Sequence, residues 1–495
     1  MNTRGSRAAG AALGILIAVA LTGMPSPAVA LPPATVTLHL AASQTVPGRC
    51  DDATVTVSPD KTGQEVEVQR LEDGAWSTFA TGTLGSGSTV TIPLCFGWGA
   101  LGIVPLRAAW RSDGVNAGAT SPRVDLTVHR ASWMLRISRI ASHHSMSISA
   151  SDDGLAVYRR DDVVARTPAS NEKLLLSMAL LQRLGPGAQL ETDAAVASVD
   201  DGVVHGDLWI LGHGDPGISN DRLNLLASHI ADAGITRITG RVMGSRAYFS
   251  HDWWAPGWKP DFPRDEVALP TALTYNGNTL GGVHIKDPER VAATSLAKHL
   301  LDHGVRIGGG APGMGIPPAG LQQIASITSP TLATILRPMD VYSINFDAEV
   351  LGKRLAVAQY GAPGTIAHGA AAIEQFAASA GVPISTYDSS GLSYSNRISA
   401  YHMVALLKDA DTASWLGDLR AALPNAGQGT LEGRLSGVKV HAKTGTLDGI
   451  SALSGWVWIE QESRWAEFSI LSSGNTTELK DLEDRVVRTL ADHGP

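Results

Sequence analysis

The stretch that most constrains the fold spans residues 167–181, where a Ser-x-x-Lys motif opens an apolar run. Leu174 and Met178 recur at helical spacing, which predicts a helix buried in a core. Three residues make about one helical turn, so we expect Ser170 and Lys173 to share a face of that helix. A serine hydroxyl becomes a nucleophile when a base takes its proton, and a lysine with a lowered pKa can be that base. A capped amphipathic helix with a surface lysine has the same spacing, so the motif alone does not distinguish the two.

Composition and charge limit the class of protein. The chain has 495 residues, of which 44% are hydrophobic and 17% charged. This is an ordinary globular composition, and the length allows several domains. A formal net charge of -8 and the lack of a long basic run argue against a nucleic acid as partner. His213 and Asp215 have no third ligand at a suitable spacing, so we interpret them as part of a turn, and the sequence implies no metal and no organic cofactor.

The N-terminus has the features of an export signal. Arg4 and Arg7 precede an apolar run over residues 11–21, and residues 28–30 form a small-x-small cleavage site. We therefore predict a signal peptide over residues 1–30 and an exported protein, located in the periplasm, the cell envelope or the extracellular space. The alternative is an uncleaved membrane anchor, which the shortness of the apolar run disfavours.

Residues 31–130 alternate apolar and polar positions between turns, as in residues 89–92. Several short strands at this spacing predict a β-sandwich. Residues 69–76 loosely resemble the immunoglobulin-like modules of exported bacterial proteins, which implies a spacer or a binding module. Cys50 and Cys95 are the two cysteines of the chain, and an even pair in an exported protein favours one disulfide over two free thiols.

Two further motifs follow the first one along the chain. Ser343-x-Asn345 lies next to a predicted helix, and Lys443-Thr444-Gly445 lies on a predicted strand with alternating faces. Each motif is weak alone, because short matches are common by chance. The three motifs in this order, with helix, helix-edge and strand contexts, are typical of serine enzymes of the penicillin-recognising superfamily.

Several stretches extend this resemblance, and they cover residues 168–171, 212–216, 345–349, 388–392 and 443–447. With them, the chain from about residue 145 to the C-terminus resembles the D-alanyl-D-alanine carboxypeptidases of the three-domain, low-molecular-mass penicillin-binding class. The resemblance accounts for the long gap between the first two motifs, because that family inserts extra domains there.

The resemblance implies an α+β multidomain fold, here preceded by the β-sandwich. The catalytic domain would be of the penicillin-binding or β-lactamase-like type, an antiparallel sheet covered by helices. We expect residues 131–196 and 331–495 to form the two segments of this domain. Residues 197–330 would form inserted domains of α/β character.

The resemblance also implies a role for each motif residue. Ser170 would attack the carbonyl between two D-alanine residues and form an acyl-enzyme, while Lys173 accepts its proton. Lys443 would help to keep Lys173 neutral through like-charge repulsion. Ser343 would relay a proton to the leaving amine, and Asn345 would orient the substrate amide and the lysine.

The same resemblance implies that the strand motif binds the substrate. Thr444, Gly445 and Thr446 would bind the substrate, with the two threonine hydroxyls and Lys443 receiving its terminal carboxylate. Backbone N–H groups of Ser170 and Thr446 would form the oxyanion hole. The implied partners are peptidoglycan stem peptides as substrates and β-lactams as acylating inhibitors.

The chain departs from the family pattern at Glu172, where a small polar residue is more usual; we expect an exposed and tolerated side chain there. Glu349 is interpreted as structural, and Asp388 as support for the site from a neighbouring turn. Three other functions fit parts of the pattern. A β-lactamase or esterase is disfavoured by the large insert, a D,D-endopeptidase would use the same site on peptide cross-links, and a non-catalytic cell-wall binding protein would retain the fold alone.

Overall fold

The computed structural model describes residues 30–492, so the predicted signal peptide lies outside the described residues apart from Ala30. The chain divides into two compact units. The first contains the residues up to Ala41 together with Asp52–Pro93 and Pro105–Val124, and the second contains Ala42–Asp51, Leu94–Val104 and all residues from Asp125 onward. Within residues 30–492, no helix has both the length and the apolar character needed to cross a bilayer.

Short strands dominate the N-terminal part of the chain. Their bounds are β1 (Thr35–Leu40), β2 (Gln44–Thr45), β3 (Cys50–Ser58), β4 (Glu65–Glu72), β5 (Ala75–Thr83), β6 (Thr89–Cys95), β7 (Gly102–Trp110), β8 (Ala119–Thr120) and β9 (Val124–Val128). In the first unit, β1 pairs antiparallel with β3, and β4 pairs antiparallel with β5 and β7. Val55 and Val57 of β3 are buried, while the alternating Thr54 and Thr56 are only partly covered, which is the alternation from which the sequence predicts a sandwich.

A disulfide joins Cys50 and Cys95, as the even cysteine count predicts. Both cysteines lie in the short segments, Ala42–Asp51 and Leu94–Val104, that belong to the second unit. Among the described residues there is no free cysteine.

The second unit contains the motif residues, in two segments on either side of an insert. The first segment comprises α1 (Ser132–Ile140), β10 (Ser145–Asp152), β11 (Leu155–Arg160), β12 (Ala165–Arg166) and α2 (Glu172–Leu184). The insert comprises β13 (Glu191–Val196), β14 (Val199–Asp200), β15 (Val203–Val204), β16 (Leu208–Gly212), α3 (Asn220–Asp232), β17 (Arg237–Ile238), β18 (Val242–Ser245), α4 (Phe262–Asp265), β19 (Thr279–Leu280), β20 (Val283–His284), α5 (Pro288–Asp302), β21 (Arg306–Ile307), β22 (Gly313–Gly315) and β23 (Gln322–Thr328). The second segment comprises α6 (Leu332–Val341), α7 (Asn345–Tyr360), α8 (Ile366–Ser379), β24 (Ile398–Ser399), α9 (Ala400–Ala410), α10 (Leu416–Ala422), β25 (Val440–Leu447), β26 (Ile450–Ile459), β27 (Arg464–Ser473) and α11 (Thr476–Asp492).

The insert is built on a mixed sheet with the strand order β22-β18-β16-β13-β23. β13 pairs antiparallel with β16 and β23, whereas β16, β18 and β22 run parallel to one another. The apolar face of α3, formed by Leu223, Leu226 and Ile230, is buried in one core cluster with residues of this sheet and of α5. The insert therefore has α/β character, and its sheet includes β13, which the predicted boundary at residue 197 assigns to the preceding segment.

The principal sheet is antiparallel throughout and has the order β11-β10-β27-β26-β25. It combines strands from both segments, since β10 pairs with β27 across the insert. α1 and α11 share a core with one face, and α2 shares a core with α6 to α10 and the other face. All eight residues from Leu174 to Leu181 are buried, so the predicted central helix is confirmed and fixes the site at its N-terminal end.

Candidate active site

Ser170 lies in a short 3-10 turn immediately before α2 and is partly exposed to solvent. The preceding Ala169 is held at a left-handed φ of 47°. Two glycines allow other segments to approach this turn closely. A Cβ atom at Gly391 would lie 2.0 Å from the carbonyl oxygen of Ala169, and one at Gly445 would lie 2.6 Å from that of Pro168. Only glycine therefore permits this packing around the serine.

Lys173 is fully buried one turn beyond the serine. Its Nζ donates hydrogen bonds to Ser170 Oγ (3.1 Å), to Asn345 Oδ1 (2.8 Å) and to the carbonyl oxygen of Ser390 (2.6 Å). Burial lowers the pKa of Lys173 to about 8, against the opposing effect of nearby carboxylates. A buried amine with a lowered pKa, in contact with a serine hydroxyl, can serve as the general base for that hydroxyl.

The second motif lies between α6 and α7. Ser343 adopts a left-handed φ of 60°, a conformation that costs a residue with a side chain about 1–2 kcal/mol. Ser343 lines the same cavity as Ser170. Asn345 is the first residue of α7, and its Nδ2 donates to the backbone oxygen of Glu266 (3.2 Å) in the insert. The side chain of Asn345 thus links Lys173 to the insert.

Lys443 is fully buried on β25, and its Nζ donates to the backbone oxygen of Thr444 (3.2 Å). Burial, reinforced by the charge of Lys173, lowers the pKa of Lys443. The buried carboxyl group of Asp340 opposes this effect and is itself held by the Ser177 hydroxyl, which donates to it at 2.7 Å. The positive charge of Lys173 thus acts on Lys443 across the buried site, whereas the predicted effect of Lys443 on Lys173 stays a prediction.

The strand motif borders the open part of the site. Thr444 and Thr446 line a cavity of about 320 Å³ together with Ser170 and Ser343. Arg434 and Lys480 line the same cavity. The Arg434 guanidinium is paired with Glu483 and Asp484, so Lys480 is the cation at this border that can receive a carboxylate. Gly445 takes part through the close backbone approach described above.

The comparison with known families decides the identity of this arrangement. Residues 135–283 and 266–493 match the D-Ala-D-Ala carboxypeptidase 3 (S13) family. The chain belongs to this family. Curated relatives include the D-alanyl-D-alanine carboxypeptidase of Actinomadura sp. (strain R39), 29% identical over 413 residues that cover 65% of this chain and 76% of the relative. The carboxypeptidase DacB of Mycolicibacterium smegmatis is 29% identical over 361 residues, covering 66% of this chain and 75% of the relative.

A solved structure supports the fold of this S13 family member. The crystal structure of penicillin binding protein 4 (dacB) from Haemophilus influenzae superposes with a TM-score of 0.64 at 19% identity, covering 73% of this chain and 99% of that chain. The α+β multidomain fold and the family named from the motifs are therefore confirmed.

The S13 site rests on a buried turn whose importance the motifs only partly indicate. Asp388 accepts hydrogen bonds from Trp258 Nε1 (2.7 Å), from Asn396 Nδ2 (2.8 Å) and from the backbone N–H of Ser393 (2.8 Å). Glu349 accepts from the backbone N–H groups of Ser389 (3.0 Å) and Ser390 (2.8 Å). These bonds fix the Ser390 carbonyl that receives the Lys173 ammonium.

The expectation for Glu172 is wrong. Its side chain is buried rather than exposed, because the turn at residues 386–396 packs over the first turn of α2. The Thr386 hydroxyl donates to one carboxyl oxygen at 2.5 Å, and Asn396 Nδ2 donates to the other at 3.4 Å. Burial raises the pKa of Glu172 well above its usual range. The sequence around Glu172 could not predict this burial, because the turn that covers it lies more than 200 residues further along the chain.

The insert supplies a second wall of the S13 cleft, which sequence reasoning missed. Lys259, Asp261, Phe262 and Glu266 line a second cavity that also reaches Ser170. These residues follow the tryptophan-rich loop at residues 252–258, whose aromatic composition fits either the wall of a ligand cleft or local packing.

The turn at His213 has a local explanation. Asp215 Oδ1 accepts the backbone N–H of Gly217 at 2.8 Å, which is an aspartate turn. Across residues 30–492, no group of three or more His, Cys, Asp or Glu side chains is placed to hold a metal ion.

Proposed function

We propose that this chain is an exported serine-type D-Ala-D-Ala carboxypeptidase that shortens peptidoglycan stem peptides through an acyl-enzyme and is inhibited by penicillin. The observation that carries the proposal is the buried Lys173, whose Nζ lies 3.1 Å from the Ser170 hydroxyl oxygen. Membership of the S13 family supports it, as do the relatives named as carboxypeptidases.

Acylation begins when neutral Lys173 accepts the proton of Ser170 and the serine oxygen attacks the carbonyl carbon between two D-alanine residues. The negative charge then develops on the carbonyl oxygen. The backbone N–H groups of Ser170 and Thr446 would receive it, each worth about 3 kcal/mol of transition-state stabilisation. Asn345 holds the lysine amine in place through its Oδ1.

The intermediate collapses with loss of the terminal D-alanine. Ser343 relays a proton to the departing amine, which leaves with its carboxylate facing Thr444 and Thr446. Water then attacks the acyl-enzyme, the ester bond to Ser170 breaks, and the proton returns to the serine. A β-lactam acylates the same oxygen, because its ring carbonyl occupies the position of the scissile amide.

The test is covalent labelling of the mature protein with a fluorescent penicillin, with mass mapping of the adduct and a Ser170→Ala variant as control. We expect one adduct on Ser170 that the control lacks, together with release of D-alanine from a pentapeptide ending in D-Ala-D-Ala. A folded wild-type chain that forms no adduct would contradict the proposal and favour a non-catalytic binding protein. Faster cleavage of a cross-linked peptide dimer than of the pentapeptide would instead assign the chain as a D,D-endopeptidase.

A further inference from the structure

Lys353 of α7 is a fully buried lysine outside the motifs. Its Nζ donates to the backbone oxygens of Ser250, Asp252 and Pro270, each at 3.0 Å, and lies 2.7 Å from Asp252 Oδ1. A buried ammonium is costly unless hydrogen bonds and a counter-charge replace its water. All of these partners belong to one segment of the insert, so the lysine holds that segment at two places.

The position of Lys353 on its helix relates it to the catalytic residues. Asn345, Glu349 and Lys353 follow one another at intervals of four, so they lie along one face of α7. Asn345 binds the Lys173 amine, and Glu349 holds the turn that contains Ser390. One face of α7 therefore positions Lys173 through Asn345 at its N-terminal end and the insert through Lys353 two turns further along.

The segment that Lys353 holds forms part of the substrate cleft. Between Asp252 and Pro270 lie the residues of the insert that line the second cavity beside Ser170, namely Lys259, Asp261, Phe262 and Glu266. Asp252 also accepts the backbone N–H of Ile366 through its other carboxyl oxygen at 2.8 Å, so the anchor reaches α8 as well. The N-terminal end of the segment is thus tied to two helices of the catalytic domain.

We propose that Lys353 is a positioning residue that sets the cleft wall formed by residues 259–266 and thereby the enzyme's preference for an extended stem peptide over a minimal acyl group. The inference rests on the proposed function, because it concerns the acyl side of the same cleft. The hydrogen bonds of Lys353 Nζ go to the insert and not to Ser170 or Lys173, so its loss leaves the nucleophile and base in place. Loss of Lys353 would displace the wall at residues 259–266, which an extended stem peptide contacts and a minimal acyl group does not.

The experiment compares acylation of the full chain by two compounds, the penicillin nucleus without an acyl side chain and a penicillin whose side chain carries the stem-peptide residues. In Lys353→Met, we expect the rate constant for the stem-peptide penicillin to fall about tenfold relative to that for the bare nucleus, since small misplacements of a binding wall have effects of this size. Lys353→Arg should restore part of the preference.

Lys408→Met is the matched control, because Lys408 is also a helix lysine whose Nζ donates to a backbone oxygen, that of Gly154 at 2.7 Å, and it does not line the cleft. Its ratio of rate constants should equal that of the wild type. An unchanged ratio in Lys353→Met, or a parallel fall for both compounds, would overturn the inference. If Lys353→Met does not fold, the same ratio of rate constants is measured in Asp252→Asn, and the same fall is expected there. A wild-type chain that neither compound acylates would overturn the proposed function itself, and this inference with it.

Discussion

At the scale of single residues, the buried carboxyl groups around the two lysines control the charge of the site. The Asp340 carboxylate raises the pKa values of both Lys173 and Lys443. Its own pKa is raised by burial to about 7, so it carries its charge in the range where Lys173 titrates. The base is active only when deprotonated, so Asp340 keeps the onset of acylation at a higher pH than burial alone would.

We therefore predict that Asp340→Asn moves the rising limb of the pH–rate profile for penicillin acylation to lower pH. Loss of the negative charge lowers the pKa of Lys173, so the amine is neutral at a more acidic pH. The measurement is the acylation rate constant from pH 6 to 10. Ser177→Ala removes the hydrogen bond at 2.7 Å that lowers the pKa of Asp340, so it should move the limb in the same direction by a smaller amount. A limb that stays in place or moves to higher pH would contradict the prediction.

Glu172 gives a prediction about stability. Its folded-state pKa lies above the ordinary value of 4.5 because of burial. The stability that accompanies its protonated form is therefore complete below about pH 4.5 and is lost as the pH rises toward the folded-state pKa. Glu172→Gln does not titrate, so its melting temperature should exceed that of the wild type by a margin that grows from pH 5 to pH 8. A margin independent of pH would show that the carboxyl is not buried in its neutral form.

At the scale of elements, the nucleophile turn is held by the close approach of a second turn. Gly391 has a left-handed φ of 83°, and the Cβ of any other residue would lie 2.0 Å from the Ala169 oxygen. Gly391→Ala should displace the residue next to Ser170 and lower penicillin acylation by about a hundredfold. Gly381→Ala is a matched control, since Gly381 has a φ of 72° with no atom within 4 Å of its Cβ. We expect the control to lose only about 1 kcal/mol of unfolding free energy and to keep its acylation rate, and equal effects of the two changes would refute the steric argument.

Elements also mark the limit of prediction from the sequence. The α2 helix and the Lys443 strand follow from local periodicity, and the order of three short motifs identifies the family. The burial of Glu172 and Lys353 does not follow, because a charged residue on a helix is usually exposed. Both are covered by segments distant in sequence, the 386–396 turn and the 250–270 part of the insert, and no local pattern encodes such packing.

At the scale of the whole molecule, distant parts of the chain combine to give the acyl side of the cleft its charge. Asp261 and Glu266 come from the insert and Asp448 from the turn after β25, whereas Lys259 is the single basic side chain among the residues lining this cavity. Lys259 pairs with Asp448 at 3.2 Å, which leaves two carboxylates in excess. The formal net charge of the whole chain, -8, is negative like the charge of this cavity.

This charge predicts a preference for a stem peptide whose third residue carries a free amino group. At low salt, kcat/KM for such a pentapeptide should exceed that for one with a neutral third residue by about tenfold, and the difference should shrink as salt screens the exposed carboxylates. Asp261→Asn combined with Glu266→Gln should abolish the preference and spare the neutral peptide. Equal kcat/KM values at low salt would contradict the prediction.

The pairing of β10 with β27 has a consequence for the stage of synthesis at which the site can form. Ser170 is synthesised before the insert, and the strands that complete the sheet around it are synthesised after the insert. Contacts between such distant segments form late, since the intervening chain must first be closed into a loop. A chain that is still being synthesised has Ser170 without β25 beside it. The site around Ser170 is therefore completed only after the last strands of this sheet have been made.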